Sequence, residues 1–123
     1  MKLRLETPSG RNHFTGYGAG FVAVNQVRYE THLIVLPHRI IPDWGVPGFA
    51  GLTVQHFEYL AGLKPDIVLL GTGPALRFPP AALARPLTDA RVGLEVMDTA
   101  AACRTYNILT AEGRNVLAAV LLA

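Results

Sequence analysis

Two short segments carry the residue types and spacing that could do chemistry. Gly71, Thr72 and Gly73 follow the apolar run Ile67–Leu70, and Asp98, Thr99, Cys103, Arg104, Tyr106 and Asn107 fall within ten residues of one another. A glycine-rich turn at a strand end, beside polar groups at a helix amino terminus, makes the usual cleft of an α/β protein. Arg104, Thr99 and the helix amino terminus could together bind an anion. Cys103 could be a nucleophile, since a helix amino end and an adjacent arginine both favour thiolate. A thiol enzyme also needs a base within reach, and the four histidines, His13, His32, His38 and His56, all lie in the first half of the chain. A structural reading stands beside each of these. Cys103 fits a small buried residue on an alanine-rich helix face. Arg104, in a mostly apolar helix, fits a buried clamp onto Asp98 or a backbone carbonyl, with Tyr106 and Asn107 extending the bonded set.

Other motifs fall short. No Gly-Lys-Ser/Thr follows Gly71–Gly73, so it is not a phosphate-binding P-loop, and Leu76 stands where a dinucleotide fingerprint needs its third glycine. A strand, not a helix, follows Gly16-Tyr17-Gly18-Ala19-Gly20. The histidines lack metal-ligand spacing, and Glu95 and Asp98, three apart on a strand, face opposite sides. Neither a metal nor a cofactor is expected.

The elements that position these residues follow from pattern. Residues 1–15 read as a polar, loosely ordered lead-in with Phe14 as its anchor. Phe21–Val24 and Val27–Glu30 form a hairpin across Asn25-Gln26. Gln26 is a poor residue for a tight turn, which predicts a turn of more than two residues. His32–Leu36 is a strand stopped by Pro37, and Arg39–Ile41 a short one stopped by Pro42. Asp43–Gly51 is a loop, and Trp44 within Pro42–Phe49 is either an exposed aromatic patch for a partner or part of a loop folded over the sheet edge. Thr53 caps a helix through Leu60 that ends at Gly62, with Leu52 and Phe57 at staple spacing. Asp66–Leu70 is a buried strand, and residues 71–74 turn out of it. Pro79-Pro80 start a helix that Pro86 breaks or kinks. Val92–Met97 is another buried strand. Thr99 caps an alanine-rich helix over Ala100–Glu112, closed by Gly113, and Asn115–Leu122 is the last strand. The alternating second half predicts parallel pairing in a single α/β domain, residues 1–123.

Composition narrows the function. Half of the 123 residues are hydrophobic and 16% are charged, so the chain has a well-filled core or leaves apolar surface for a partner. The +2 charge is scattered, without a basic run interleaved with aromatics, which argues against nucleic-acid binding. One cysteine allows no internal disulfide. No apolar run reaches the roughly 20 residues of a membrane span, and the first residues resemble neither a signal peptide nor a mitochondrial presequence. A homodimer would use a strand edge or the Trp44 loop.

Several segments together resemble one family. They are Gly16-Tyr17-Gly18-Ala19-Gly20, Val24-Asn25, Leu33–Pro37, Leu70–Gly73, Pro79-Pro80 and above all Glu95–Thr99 leading into Cys103-Arg104-Thr105-Tyr106-Asn107 and Glu112-Gly113-Arg114. The sequence is similar to a family of small bacterial and archaeal domains of uncharacterised function. Its mitochondrial relatives include the third assembly factor of respiratory complex I. Gln26 stands where that family usually has glycine, and Pro86 where it usually continues a helix. The resemblance implies a three-layer α/β fold with a β-hairpin layer, a mixed central sheet and helices. It implies no established catalysis. It implies protein partners such as subunits of membrane-associated complexes, and bacterial members tend to be encoded near protein-export genes. The expectation is a non-enzymatic bacterial cytoplasmic protein, peripheral to the inner membrane. The competing reading is a small anion-binding protein or thiol-dependent enzyme that uses the cleft at Gly71–Gly73 and Asp98–Arg104.

Overall fold

The computed structural model describes residues 10–123, so the first nine residues of the expected lead-in lie outside it. The rest of the lead-in is tied down. Asn12 donates its backbone N–H to Pro37 O (2.7 Å) and its Nδ2 to Leu36 O (2.8 Å). Strand β1 (Phe14–Gly18) then pairs with β2 (Phe21–Val24), and β2 with β3 (Val27–Tyr29), in one antiparallel sheet.

The turn between β2 and β3 corrects the expectation of a longer loop. It is a two-residue turn with Asn25 at φ 52° and Gln26 at φ 69°. Both central residues are left-handed, the geometry that continues the strand twist. The β1–β2 register shifts between Phe14 and Gly16, leaving Thr15 unpaired, and Thr15 Oγ1 accepts the Gln26 N–H at 2.9 Å.

The second sheet is mixed. β4 (Leu33–Leu36), β5 (Arg39–Ile41), β6 (Ile67–Thr72), β7 (Gly93–Met97) and β8 (Val116–Leu121) lie in the order β5-β4-β8-β6-β7. β6 is parallel to both β7 and β8, while β4 is antiparallel to β5 and β8. Side chains alternate between the two faces. Ile34, Leu36, Val68, Leu70, Leu117, Ala119 and Leu121 pack toward α1 (Val54–Gly62) and the short α2 (Arg85–Asp89). Leu33, Val35, Leu69, Val116, Ala118 and Val120 pack toward the small sheet and α3 (Thr99–Ala111). Every residue of β4 and β8 is therefore buried, as expected of strands covered on both faces.

Three other sequence readings change, and the open choice at Trp44 is decided. β7 is the edge strand and half-exposed, because β8 takes the central place beside β6. Trp44 is buried against the core and meets His56 edge-on at 6.0 Å, so the loop presents no aromatic patch there. Pro86 begins a helix as well as breaking one. Ala81–Ala84 form a 3-10 turn, and Pro86 sits at the second residue of α2, where its missing N–H costs no hydrogen bond. Asp98, not Thr99, caps α3, accepting the Ala101 N–H at 2.8 Å. The α1 cap is as expected: Thr53 and His56 form a capping box, and Leu52 and Phe57 are both buried.

A left-handed glutamine costs about 1 kcal/mol relative to glycine. Gln26→Gly is therefore expected to raise the urea midpoint by about that stability with an unchanged slope. An unchanged midpoint would mean that the strain relieved at this turn is matched by the greater freedom glycine gives the unfolded chain.

Candidate functional site

The carboxyl ends of β6 and β8 meet the amino end of α3, and the sequence-predicted cleft residues do converge there. Gly71 is the point of closest approach. A Cβ on it would lie 3.0 Å from Thr99 Oγ1 and 3.1 Å from Ala102 Cβ, so α3 packs directly on β6. Thr99 fastens the contact. Its buried hydroxyl donates to Leu121 O and accepts the Gly73 N–H at 2.8 Å, while its own N–H donates to Gly73 O at 2.9 Å. With its hydroxyl so engaged, Thr99 leaves the capping of α3 to Asp98.

Thr72 is the buried last residue of β6 rather than part of a loop. Its hydroxyl donates to Ala75 O (2.7 Å) and accepts the Arg77 N–H (3.1 Å). The turn itself begins at Gly73, whose φ of 90° favours glycine. The sequence did not mark Arg77 as part of this region. Its Nη2 donates to Thr72 O (2.6 Å) and Ala123 O (3.0 Å), and its guanidinium lies 4.6 Å from the centre of the Phe49 ring. One signal was available: Arg77 is the single charge between Asp66 and Arg85.

A cavity of about 570 Å³ opens at this mouth. The β1–β2 turn, Tyr17–Gly20, walls one side; Gly73, Pro74, Asp98, Thr99, Ala100, Leu122 and Ala123 complete it. Its lining is mostly apolar, and its polar groups are largely spent. The N–H groups of Thr99, Ala101 and Ala102 go to Gly73 O, Asp98 Oδ1 and Asp98 O. Leu122 N–H goes to Nδ1 of His32 at 3.0 Å. That bond requires an unprotonated ring nitrogen, and burial lowers the His32 pKa against the opposing pull of Asp43. The arrangement suits an apolar group better than an anion.

The four helix residues beyond the cap divide differently from the sequence reading. Arg104 is exposed, not a buried clamp. Its Nη1 donates to Tyr17 Oη at 2.9 Å on the cavity wall. Tyr106 and Asn107 point to β1 and the segment before it. Tyr106 is buried, donates from Oη to Asn12 O (3.1 Å) and meets Phe14 edge-on at 5.3 Å. Asn107 accepts the Phe14 N–H on Oδ1 and donates from Nδ2 to Phe14 O, both at 2.8 Å. The clamp thus exists, but it joins α3 to the small sheet, and Asn107 is its centre. Cys103 is 1% exposed. Burial pushes its thiol up to about 12, outweighing the nearby Arg104. At neutral pH this is a thiol, not a thiolate. Among the described residues, no three His, Cys, Asp or Glu side chains group as metal ligands.

Fold and mouth together define a mixed α/β domain with an apolar cavity at the strand ends. Residues 14–121 match the model of a family described as proteins of unknown function, DUF498/DUF598. The chain belongs to that family, the one the Glu95–Arg114 segment pointed to. A crystal structure of a Bordetella parapertussis protein is similar, with a TM-score of 0.86 and 41% identity, covering 92% of this chain and 97% of that one. A Bordetella pertussis protein described as an Mth938-like domain, solved by NMR, has a TM-score of 0.82 at 34% identity, covering 98% and 92%. Bovine NADH dehydrogenase (ubiquinone) 1 alpha subcomplex assembly factor 3 is 33% identical over 97% of this chain, which spans 65% of that protein's length. A Francisella tularensis protein named 13 kDa major membrane protein is 26% identical over 94% of this chain and 95% of its own length. Among the described residues, no helix is long and apolar enough to cross a membrane.

Asn107→Ala is expected to cost about 2 kcal/mol, because it strands both backbone groups of Phe14. Arg104→Ala should leave the melting temperature near that of the parent. Equal losses for the two would reject Asn107 as the centre of the clamp. A second expectation concerns Cys103, whose raised folded pKa means that the unfolded chain loses its thiol proton first. Stability should therefore fall as pH rises above about 9, an effect that Cys103→Ala would remove. Urea melts of both proteins between pH 7 and pH 10 measure this.

Proposed function

We propose that the protein is a non-enzymatic factor that assists the assembly of membrane-protein complexes through protein–protein contacts. Its partners would be subunits of a membrane-associated complex, met from the cytoplasmic side at the inner membrane. The observation that carries the reading is the relationship, over nearly the whole chain, to proteins named as complex I assembly factors. The chemistry of the mouth supports it. The N–H groups of Thr99, Ala101 and Ala102 are bound internally, and Cys103 is buried as a thiol. The buried thiol speaks against a thiol enzyme, Arg104 stays exposed at the cavity wall as the anion reading's donor, and an apolar cavity is open to a partner.

The test is a deletion strain examined by native gel electrophoresis of its membranes, with in-gel NADH dehydrogenase activity. Loss of mature complex I, with smaller intermediates accumulating, is the expected result. Both the wild-type gene and Cys103→Ala should restore it. A normal complex in the deletion strain would overturn the proposal. Failure of a folded Cys103→Ala to restore the complex would return the thiol to consideration.

A further inference from the structure

A second hollow lies at the other end of the five-stranded sheet, away from the mouth. β4 runs antiparallel to β8, so the turn from β4 into β5 lies beside the amino end of β8. There Arg11, Leu36, Pro37, His38, Arg39 and Asn115 line about 360 Å³. Three of these side chains can carry positive charge, and none is acidic. The carbonyl oxygens around the hollow are already bonded. Leu36 O and Pro37 O accept from Asn12, at 2.8 and 2.7 Å. Arg114 O and Gly113 O accept from the Arg11 guanidinium, at 3.2 and 3.4 Å. Asn115 O accepts the Asp66 N–H at 2.9 Å, and Asn115 Nδ2 donates to Lys64 O at 3.1 Å. The dipoles that would repel an anion are thus spent within the chain, and the cationic side chains set the local field.

We infer that this hollow binds a phosphomonoester, either on a free small molecule or as the headgroup of a lipid. The inference does not depend on the assembly reading. His38 and Arg39 are exposed, and among the described residues neither side chain makes a hydrogen bond or an ion pair. Their backbone is nevertheless fixed. Leu36 and Arg39 are a cross-strand pair, which makes Pro37-His38 a two-residue turn with one φ set by the proline ring. Arg11 is held in place by its two carbonyl partners. Donors positioned before the ligand arrives lower the cost of binding it. Guanidinium forks match phosphate oxygens, and a phosphomonoester carries nearly two negative charges at neutral pH. A single carboxylate would be satisfied by one guanidinium and would leave the others unused. A nucleic-acid strand fits less well, because no Phe, Tyr or Trp lines the hollow for a base to stack on.

The full chain is titrated with glycerol 3-phosphate and followed by amide chemical shifts. It is also sedimented with phosphatidylcholine vesicles, with and without phosphatidic acid. Saturable shifts centred on His38, Arg39 and Asn115 are expected, with affinity falling as salt is added. Arg39→Gln should weaken binding about tenfold. Arg39 is exposed and has no side-chain bond to lose, so this variant tests the site without disturbing the fold, and its melting curve checks that. Arg85→Gln removes the same charge from an exposed position on α2 and should leave binding unchanged. Binding of glycerol 3-phosphate alone supports the inference with a free ligand. Sedimentation only with phosphatidic acid, lost in Arg39→Gln, supports it with a lipid. Response to both, weakened alike by Arg39→Gln, supports the phosphate group as what is recognised. The inference is overturned if neither probe binds, if acetate shifts the same residues as tightly as glycerol 3-phosphate, or if Arg85→Gln weakens binding as much as Arg39→Gln.

Discussion

The contact between α3 and the end of β6 is the constraint on which the mouth depends. Gly71 leaves no room for a side chain, and the Thr99 hydroxyl ties the β6 turn to the end of β8. A hydroxyl buried with both roles filled is stable in place and costly to remove. From it follow the cap at Asp98, the turn at Gly73 and the position of α3 from which Tyr106 and Asn107 reach the small sheet.

The same saturation decides the chemistry. A strand end beside a helix amino terminus usually offers free donors to a ligand. Here Gly73 and Asp98 take the N–H groups of Thr99, Ala101 and Ala102. Thr99, Cys103, Tyr106 and Asn107 serve the architecture, while Arg104 faces outward beside a mostly apolar cavity. An assembly role needs surface and shape in place of a reacting group, which is the combination this end of the molecule presents.

Much of this was legible in sequence because it rests on local signals. The continuous apolar runs of Leu33–Leu36 and β8 mark strands covered on both faces. Thr53 with Leu52 and Phe57 marks the start of α1. The convergence of Gly71–Gly73 with Asp98–Thr99 follows from parallel strands joined through helices. What failed depended on distant partners. No pattern in Val92–Met97 shows that β8 will take the inner position beside β6. Arg104 looked buried because its helix is apolar, yet its direction depends on Tyr17, 87 residues away. Gln26 accepts a left-handed turn because a bulge carries Thr15 to its N–H. Arg77 carried a signal, a lone charge in an apolar stretch, that only the folded loop makes meaningful.

Asn107 has a consequence beyond stability. Its side-chain amide meets the N–H and O of Phe14 as a neighbouring strand's peptide group would. A helix thus occupies the outer edge of β1 at that point, where another chain could otherwise add a strand. Growth of the three-stranded sheet by accretion is blocked there by one carboxamide, leaving β3 as the side on which it could be extended.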